Sequence, residues 1–461
     1  MNLAGPKQLI LIGLILLAAS GTLAGTTGKI VGKVTDAKTS KGLNGANVTL
    51  VGTKMGAATD LDGSFVIINI PVGTYTVKAT LIGYKAVTST GVRSIQDLTT
   101  RLDFMLSNSN DVSIVDVSTE PHRMEASQLK STIITPHLEQ KIPLGKSVIY
   151  SSTFQVGWNK LEEEYIKDTI RLAGNPPMAQ ALNKHLTSRK EISGECYVAT
   201  AGPMNERLIQ QLNQTLMGTI GDLAPQPLKV AIDTEPHLLG VFAYQNKDPQ
   251  FAKAFYLIPR LLRFDSGDKV DSVIAFGIPY YFPPYGSEFE EAVRVIDYQA
   301  NQIIIEILCQ SKRERLILAK INPQESLIET FKYVDSIVEK RSGSYGGLKS
   351  RDRIWIPLLK FDIIHSYNEL SGLNLLNESW KDWKLEKAFQ WMRFKLSKGG
   401  ALINPVVEIT GVGVVVRPIV EIQGRHFFLD KPFLLYLKQS GSQYPYFAMW
   451  VGNTELMVKA K

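Results

Sequence analysis

Cysteine is nearly absent: the 461 residues hold only Cys196 and Cys309. That excludes a disulfide-stapled scaffold, because small cross-linked domains carry their bridges densely. The neighbours of the two, "GECYVA" and "IEILCQS", are core-like and favour buried free thiols. One disulfide stays open as the alternative in an exported chain. Histidine is as scarce. His122, His137, His185, His237, His365 and His426 are scattered, none at metal-ligand spacing, and no His-Glu-x-x-His occurs. No metal centre is expected. A Gly-x-Ser-x-Gly elbow, a phosphate-cradling glycine loop and a dinucleotide fingerprint are all missing. "GSYGG" at 343–347 sits in a loop. No catalytic residue and no cofactor is therefore expected.

Charge of one sign is also lacking. Lys+Arg number 51 against 44 Asp+Glu, a surplus of seven spread along the chain. No basic run with interleaved aromatics tracks a phosphate backbone, which argues against nucleic acid as a partner. No apolar run reaches the roughly 18 residues of a membrane span. The longest near the start, "LILIGLILLAA" from Leu9 to Ala19, follows Lys7 and precedes the small residues Thr22 and Ala24. It reads as a secretory signal peptide over 1–24. The expected location is secreted, or the periplasm and cell envelope, with no span after cleavage.

Residues 28–107 read as a compact all-β unit. "GKIVGKVTD" alternates apolar and polar residues, as a half-buried strand must. In "PVGTYTVKATLIGY", Tyr75, Val77, Ala79 and Leu81 point one way and Thr74, Thr76, Lys78 and Thr80 the other. "TDLDGSF" places Asp60 and Asp62 beside Gly63, a spacing like the start of a calcium loop. The downstream bidentate Glu is missing, so a hairpin turn is the preferred reading. "SNSND" at 107–111 marks a boundary, and 108–140 is expected as a linker with one short strand.

From 141 to 461 the pattern is mixed. "KSVIYSSTFQVGWNKLEEEY" predicts a strand turning into a helix near Ser151 or Ser152. Leu208, Leu212, Leu216 and Ile220 line one face of a second helix, between Pro203 and Gly221. Six strands are expected over 228–320, and Leu327, Phe331, Val334 and Val338 line a further helix. "NESWKDWKLEKAFQWMRF" at 377–394 is expected as an aromatic-rich helix packed inward; a membrane-surface helix is the weaker alternative. Helices and strands without strict alternation argue for α+β with mainly antiparallel sheets.

Two resemblances add to this reading. Gly32-x-Val34-x-Asp36, Gly45-Ala46-x-Val48, Thr59-Asp60-x-Asp62-Gly63-x-Phe65, Pro71-x-Gly73-x-Tyr75 and Gly83-Tyr84 resemble the carboxypeptidase-regulatory-like, transthyretin-like domain. That family implies an accessory β-sandwich without catalytic residues, common at the front of envelope proteins. Further on, Pro357, Lys360, Phe361, Tyr367 and Leu370, with Phe428, Asp430, Pro432, Phe433, Leu434, Phe447, Met449 and Gly452, resemble the end of a serpin. The resemblance implies that the segment between these blocks is a loop offered to a protease. In an inhibitory serpin the cleaved loop inserts as a new central strand.

The candidate loop residues are Gly400, Ala401, Leu402, Ile403, Asn404, Pro405 and Arg417. The family's acidic hinge is absent. Leu402 and Ile403 are bulky where small residues are needed, and Pro405 has no N–H for a central strand. Pro418 would hinder a trypsin-like enzyme at Arg417. The alternative is that 401–417 is an ordinary strand, which Val406, Val407, Ile409, Val412 and Val414 would suit. The sequence thus points to an exported, non-enzymatic protein that binds a protein partner, with a non-inhibitory serpin-like domain. An inhibitor of a serine or cysteine protease, with its reactive loop near 401–418, is the alternative.

Overall fold

The computed structural model describes residues 27–36, 41–84, 86–106, 114–115, 121–221, 237–258, 260–278, 289–397, 407–408, 415–418 and 424–459. The expected signal peptide and the 107–111 boundary lie outside them. The chain divides into two compact units. One takes the start of the chain to Val112 plus Thr410–Ile422, the other Ser113–Ile409 plus Gln423–Lys461.

The first unit contains β1 (Thr27–Asp36), β2 (Asn47–Leu50), β3 (Gly56–Ala58), β4 (Ser64–Pro71), β5 (Gly73–Thr80), β6 (Val87–Ser94) and β7 (Thr99–Leu106). In one sheet β1 lies between β7, its parallel neighbour, and β4, its antiparallel one. The other sheet runs β3-β2-β5-β6 and is antiparallel throughout. Alternation puts Ile30, Val34, Val48, Phe65, Val77 and Phe104 from both sheets into one buried cluster. Gly32 is needed there, since a Cβ would lie 1.7 Å from the Leu102 carbonyl oxygen. At "TDLDGSF" the Asp60 carboxylate accepts from the backbone N–H groups of Asp62 (3.0 Å) and Ser64 (2.8 Å), and Gly63 takes φ +80. That is turn geometry.

The second unit is built on two large sheets. Its labelled strands, in chain order, are β8 (Arg123–Glu125), β9 (Thr132–Thr135), β10 (Ser147–Ser151), β11 (Tyr197–Pro203), β12 (Leu238–Lys247), β13 (Val293–Gln299), β14 (Gln302–Leu308) and β15 (Glu314–Lys320). They continue with β16 (Arg353–Pro357), β17 (Leu359–Ser366), β18 (Lys384–Leu396), β19 (Val415–Pro418, which falls in the first unit), β20 (His426–Phe428), β21 (Phe433–Gln439) and β22 (Phe447–Val451). The eight-stranded sheet runs β9-β10-β22-β21-β15-β14-β13 and ends on the short strand Gly346–Gly347. The second large sheet runs β11-β12-β18-β17-β8, with Leu373–Asn374 paired to β18. β16 and β20 pair in a smaller sheet.

Among the described residues four α-helices pack on these sheets: α1 (Thr153–Lys160), α2 (Pro177–Leu182), α3 (Glu206–Thr219) and α4 (Leu327–Lys340). Ser152 stands at the start of α1, as expected. Asn205 caps α3 by accepting from the Leu208 N–H, two residues inside the expected Pro203 start. α4 has a full capping box between Ser326 and Glu329, which fixes its entry.

Two expectations fail. Residues 377–394 are not a helix. Glu378–Trp380 makes one 3-10 turn, and Lys384–Leu396 is a 13-residue strand. From Gln390 to Arg393 it is buried on both faces, so the period-2 signal that identifies a half-exposed strand is erased. The stretch 108–140 is not merely a linker. β8 extends the second large sheet beside β17, and β9 forms an edge of the eight-stranded one. Strands of three or four residues are too short to show periodicity.

Candidate functional site

The candidate site is the middle of the second large sheet and the segment that leaves it. β12 and β18 run parallel there, paired from Leu238↔Lys384 to Lys247↔Phe394 with one register shift near Gly240. β11–β12 and β17–β18 are antiparallel. β18 then leads directly into the candidate loop. A parallel pair is slightly less stable per residue than an antiparallel one. A segment folding back from the end of β18 would be antiparallel to both strands of this seam.

Each face of the seam is sealed. On one, Tyr244 of β12 and Trp391 of β18 pack with Leu208, Leu212 and Leu216 of α3. The Trp391 indole donates to Asp362 at 2.6 Å, and Arg123 reaches the same carboxylate at 3.0 Å. On the other face lies a buried polar chain. Gln390, wholly buried, donates to the Thr153 hydroxyl (2.8 Å) and accepts from the Tyr367 hydroxyl. Ser151 and Thr153 share a further hydrogen bond of 2.9 Å. Burial pushes the Tyr367 phenol well above its ordinary range, so it stays a protonated donor. These bonds tie the residue after β17, β18 and the start of α1 together, and separating them would leave buried polar groups unpaired.

Of the candidate loop residues, Gly400, Ala401, Leu402, Ile403, Asn404 and Pro405 lie outside the described residues. Arg417 lies in β19, whose backbone pairs antiparallel with β7 of the first unit: Val415↔Asp103, Val416↔Leu102, Arg417↔Arg101, Pro418↔Thr100. The sheet of β1, β4 and β7 thereby gains a fourth strand. The sequence signal was the valine run "GVGVVVRP", which suits a strand but does not say which sheet receives it. Val407–Glu408 makes a separate two-residue pairing with Ile114–Val115.

The thiols do not form a reactive centre. Both cysteines are free. Burial pushes Cys196 up to about 11 and Cys309 up to about 12, where neither is a thiolate at neutral pH. They adjoin a nearly closed ion pair in which Lys247 reaches Glu314 at 2.6 Å and the Tyr446 hydroxyl donates to the same carboxylate. Among the histidines, burial lowers His137, His365 and His426. His185 has one ring nitrogen 3.0 Å from Asn159 and the other 3.0 Å from Glu162. Among the described residues no three His, Cys, Asp or Glu side chains gather as for a metal ion. No described helix is long and apolar enough to cross a membrane.

Residues 30–116 match the family model of the CarboxypepD_reg-like domain. No curated protein matches the chain. Among solved structures, Serpin48 of the insect Tenebrio molitor, described as a highly specific serpin, is similar at 12% identity and TM-score 0.37. The match covers 67% of this chain and 92% of that one. Uncleaved ovalbumin matches at 12% identity and TM-score 0.36, over 67% and 94% of the two chains. A type II cohesin–X-dockerin complex from Acetivibrio cellulolyticus matches 16% of this chain and 51% of its own, at 29% identity and TM-score 0.15.

Proposed function

We propose that this is an exported, non-enzymatic protein-binding protein. A CarboxypepD_reg-like β-sandwich serves as its attachment module, and a serpin-like domain without inhibitory action follows. The observation that carries the reading is the pairing of β19 with β7. An inhibitor of that type must release its loop to a protease and then to its own sheet. Here the far part of the segment is hydrogen-bonded as an added strand. β19 is thereby the outer strand of that sheet, and strand addition at an outer strand is a recurrent mode of protein recognition, because the backbone supplies the affinity. The near part, with Leu402, Ile403 and Pro405, is poorly suited to a central strand. The partner is a protein, and the location is the envelope or outside the cell.

The second reading, inhibition of a serine or cysteine protease, is favoured by the parallel β12–β18 seam. Inserting an antiparallel strand there would exchange one parallel pairing for two antiparallel ones. Limited proteolysis of the mature protein with several serine proteases separates the two. The binding reading expects no gel-stable protease adduct and an unchanged melting temperature after any cut between 401 and 418. A covalent adduct, or a cut that raises the melting temperature sharply, would establish the inhibitor.

A further inference from the structure

A cleft of about 510 Å³ opens in the second unit, between the loop before β16 and the start of β20. Lys349, Arg351 and Asp352 form one wall, Gly424 and Arg425 the other, and Tyr298 at the end of β13 also lines it. The walls touch. A Cβ on Gly424 would lie 2.0 Å from the Arg351 carbonyl oxygen, so a side chain at 424 would force them apart.

The charges are unevenly satisfied. Asp352, the one acid among the lining residues, is buried. Its carboxylate accepts from the Arg425 guanidinium (2.6 Å and 3.1 Å) and from the backbone N–H groups of Lys349 (2.8 Å) and Arg425 (2.9 Å). Its acceptor capacity is thus filled. Arg425 is fixed further by the Gly347 carbonyl at 2.9 Å and by the ring of Phe427, 5.1 Å from its guanidinium carbon. Lys349 and Arg351 are different: both are exposed, and neither is ion-paired with a described residue. The Tyr298 hydroxyl accepts from the His426 N–H at 3.1 Å, which leaves its own proton to donate. The cleft therefore presents two unpaired cations and a phenol around a neutralised acid.

We propose that this cleft binds a phosphate or sulfate monoester. Such a group has three terminal oxygens for the ammonium, the guanidinium and the phenol, whereas a carboxylate offers two. The remaining volume takes the organic part, with the partly exposed ring of Tyr298 beside it. This site is independent of the loop and of the binding reading above.

The test is calorimetric titration of the full mature chain with 4-nitrophenyl phosphate and 4-nitrophenyl sulfate. At least one should bind with a Kd below about 1 mM. Lys349→Ala with Arg351→Ala should weaken it at least tenfold at an unchanged melting temperature. Lys54→Ala with Lys78→Ala, which removes two exposed charges of the first unit, should leave it unchanged. The two ester classes are told apart by which probe binds. Phosphate-ester binding should also weaken as the pH falls from about 7.5 to about 4.5, because a phosphate monoester gives up its second charge over that range, while the single charge of a sulfate ester does not titrate there and its binding stays flat. Absence of binding by both probes, wild-type binding by the cleft variant, or an equal loss in the control variant would overturn the proposal.

Discussion

Tyr244 and Trp391 pair directly across the parallel seam, with ring centroids 6.2 Å apart. They differ in one respect that mutation can read. The Trp391 indole N–H is used by Asp362, while the Tyr244 hydroxyl is buried with no partner among the described residues. Tyr244→Phe removes an unpaired polar atom and keeps the ring, so urea unfolding should show stability unchanged or raised by up to about 1 kcal/mol. Trp391→Ala removes the ring and leaves Asp362 without that donor. It should cost about 3–5 kcal/mol. A loss on Tyr244→Phe comparable to that of Trp391→Ala would mean that the hydroxyl has a partner.

Glu314 holds both Lys247 and Tyr446 in a largely buried site. Glu314→Gln leaves the ammonium buried without a counter-charge and should destabilise by about 3 kcal/mol. Lys247→Met with Glu314→Leu and Tyr446→Phe removes every member of the cluster and should recover most of that loss in thermal unfolding. A triple variant as unstable as Glu314→Gln would show that packing, not the stranded charge, sets the cost.

The same site bears on the cysteines. With both thiols held well above their ordinary pKa by burial, iodoacetamide at pH 8 should label neither in the native protein and both in denaturant. Mass spectrometry of the intact chain gives the count. No label in denaturant would reveal the Cys196–Cys309 disulfide that the sequence left open.

What the sequence showed depended on how one-sided each element's burial is. α3 and α4 bury one stripe each, Leu208-Leu212-Leu216 and Leu327-Phe331-Val334-Val338, and 3.6-residue periodicity found both. In the first unit β1 and β5 were legible from alternation, and glycines such as Gly32 and Gly63 have steric reasons to be there; β6 went unread. β18 was misread because Gln390, Trp391, Met392 and Arg393 are all buried, so its composition mimics a packed helix. The β12–β18 seam and the β19–β7 pairing are long-range choices of neighbour, which local pattern does not encode. The cleft was invisible for the same reason: Lys349, Arg351 and Arg425 meet only because Gly424 lets two distant loops touch.

Asp271 should dominate one part of the acid response. The Thr454 hydroxyl, then Lys269 at 3.0 Å, holds its carboxyl down to about 2 from an ordinary value of 3.8. A depressed folded-state pKa contributes stability that is complete above the unfolded value and is lost as pH falls through the folded one. The contribution should therefore be full above about pH 4 and fade toward pH 2. The Asp271 side chain keeps about a quarter of its surface in solvent (26%), and screening by that solvent keeps the contribution modest. Asp271→Asn should lower stability at pH 5 and flatten the slope between pH 4 and 2. An unaltered slope in Asp271→Asn would assign the acid response to other carboxylates.

The β19–β7 pairing makes a prediction about backbone alone. Successive N–H groups of a strand point to opposite sides, so one of Val415 and Val416 must direct its N–H toward β7. Val415→Pro with Val416→Pro removes that donor whichever residue supplies it, and proline is poorly tolerated inside a ladder. In hydrogen-exchange mass spectrometry, peptides covering Thr99–Leu106 should exchange faster in this variant, because β7 reverts to an open edge. Peptides covering β12 and β18 should be unaffected. Faster exchange in β12 and β18 with an unchanged β7 would instead place the segment's stabilising role at the seam, and would move the balance from a docked binding strand toward the inhibitor reading.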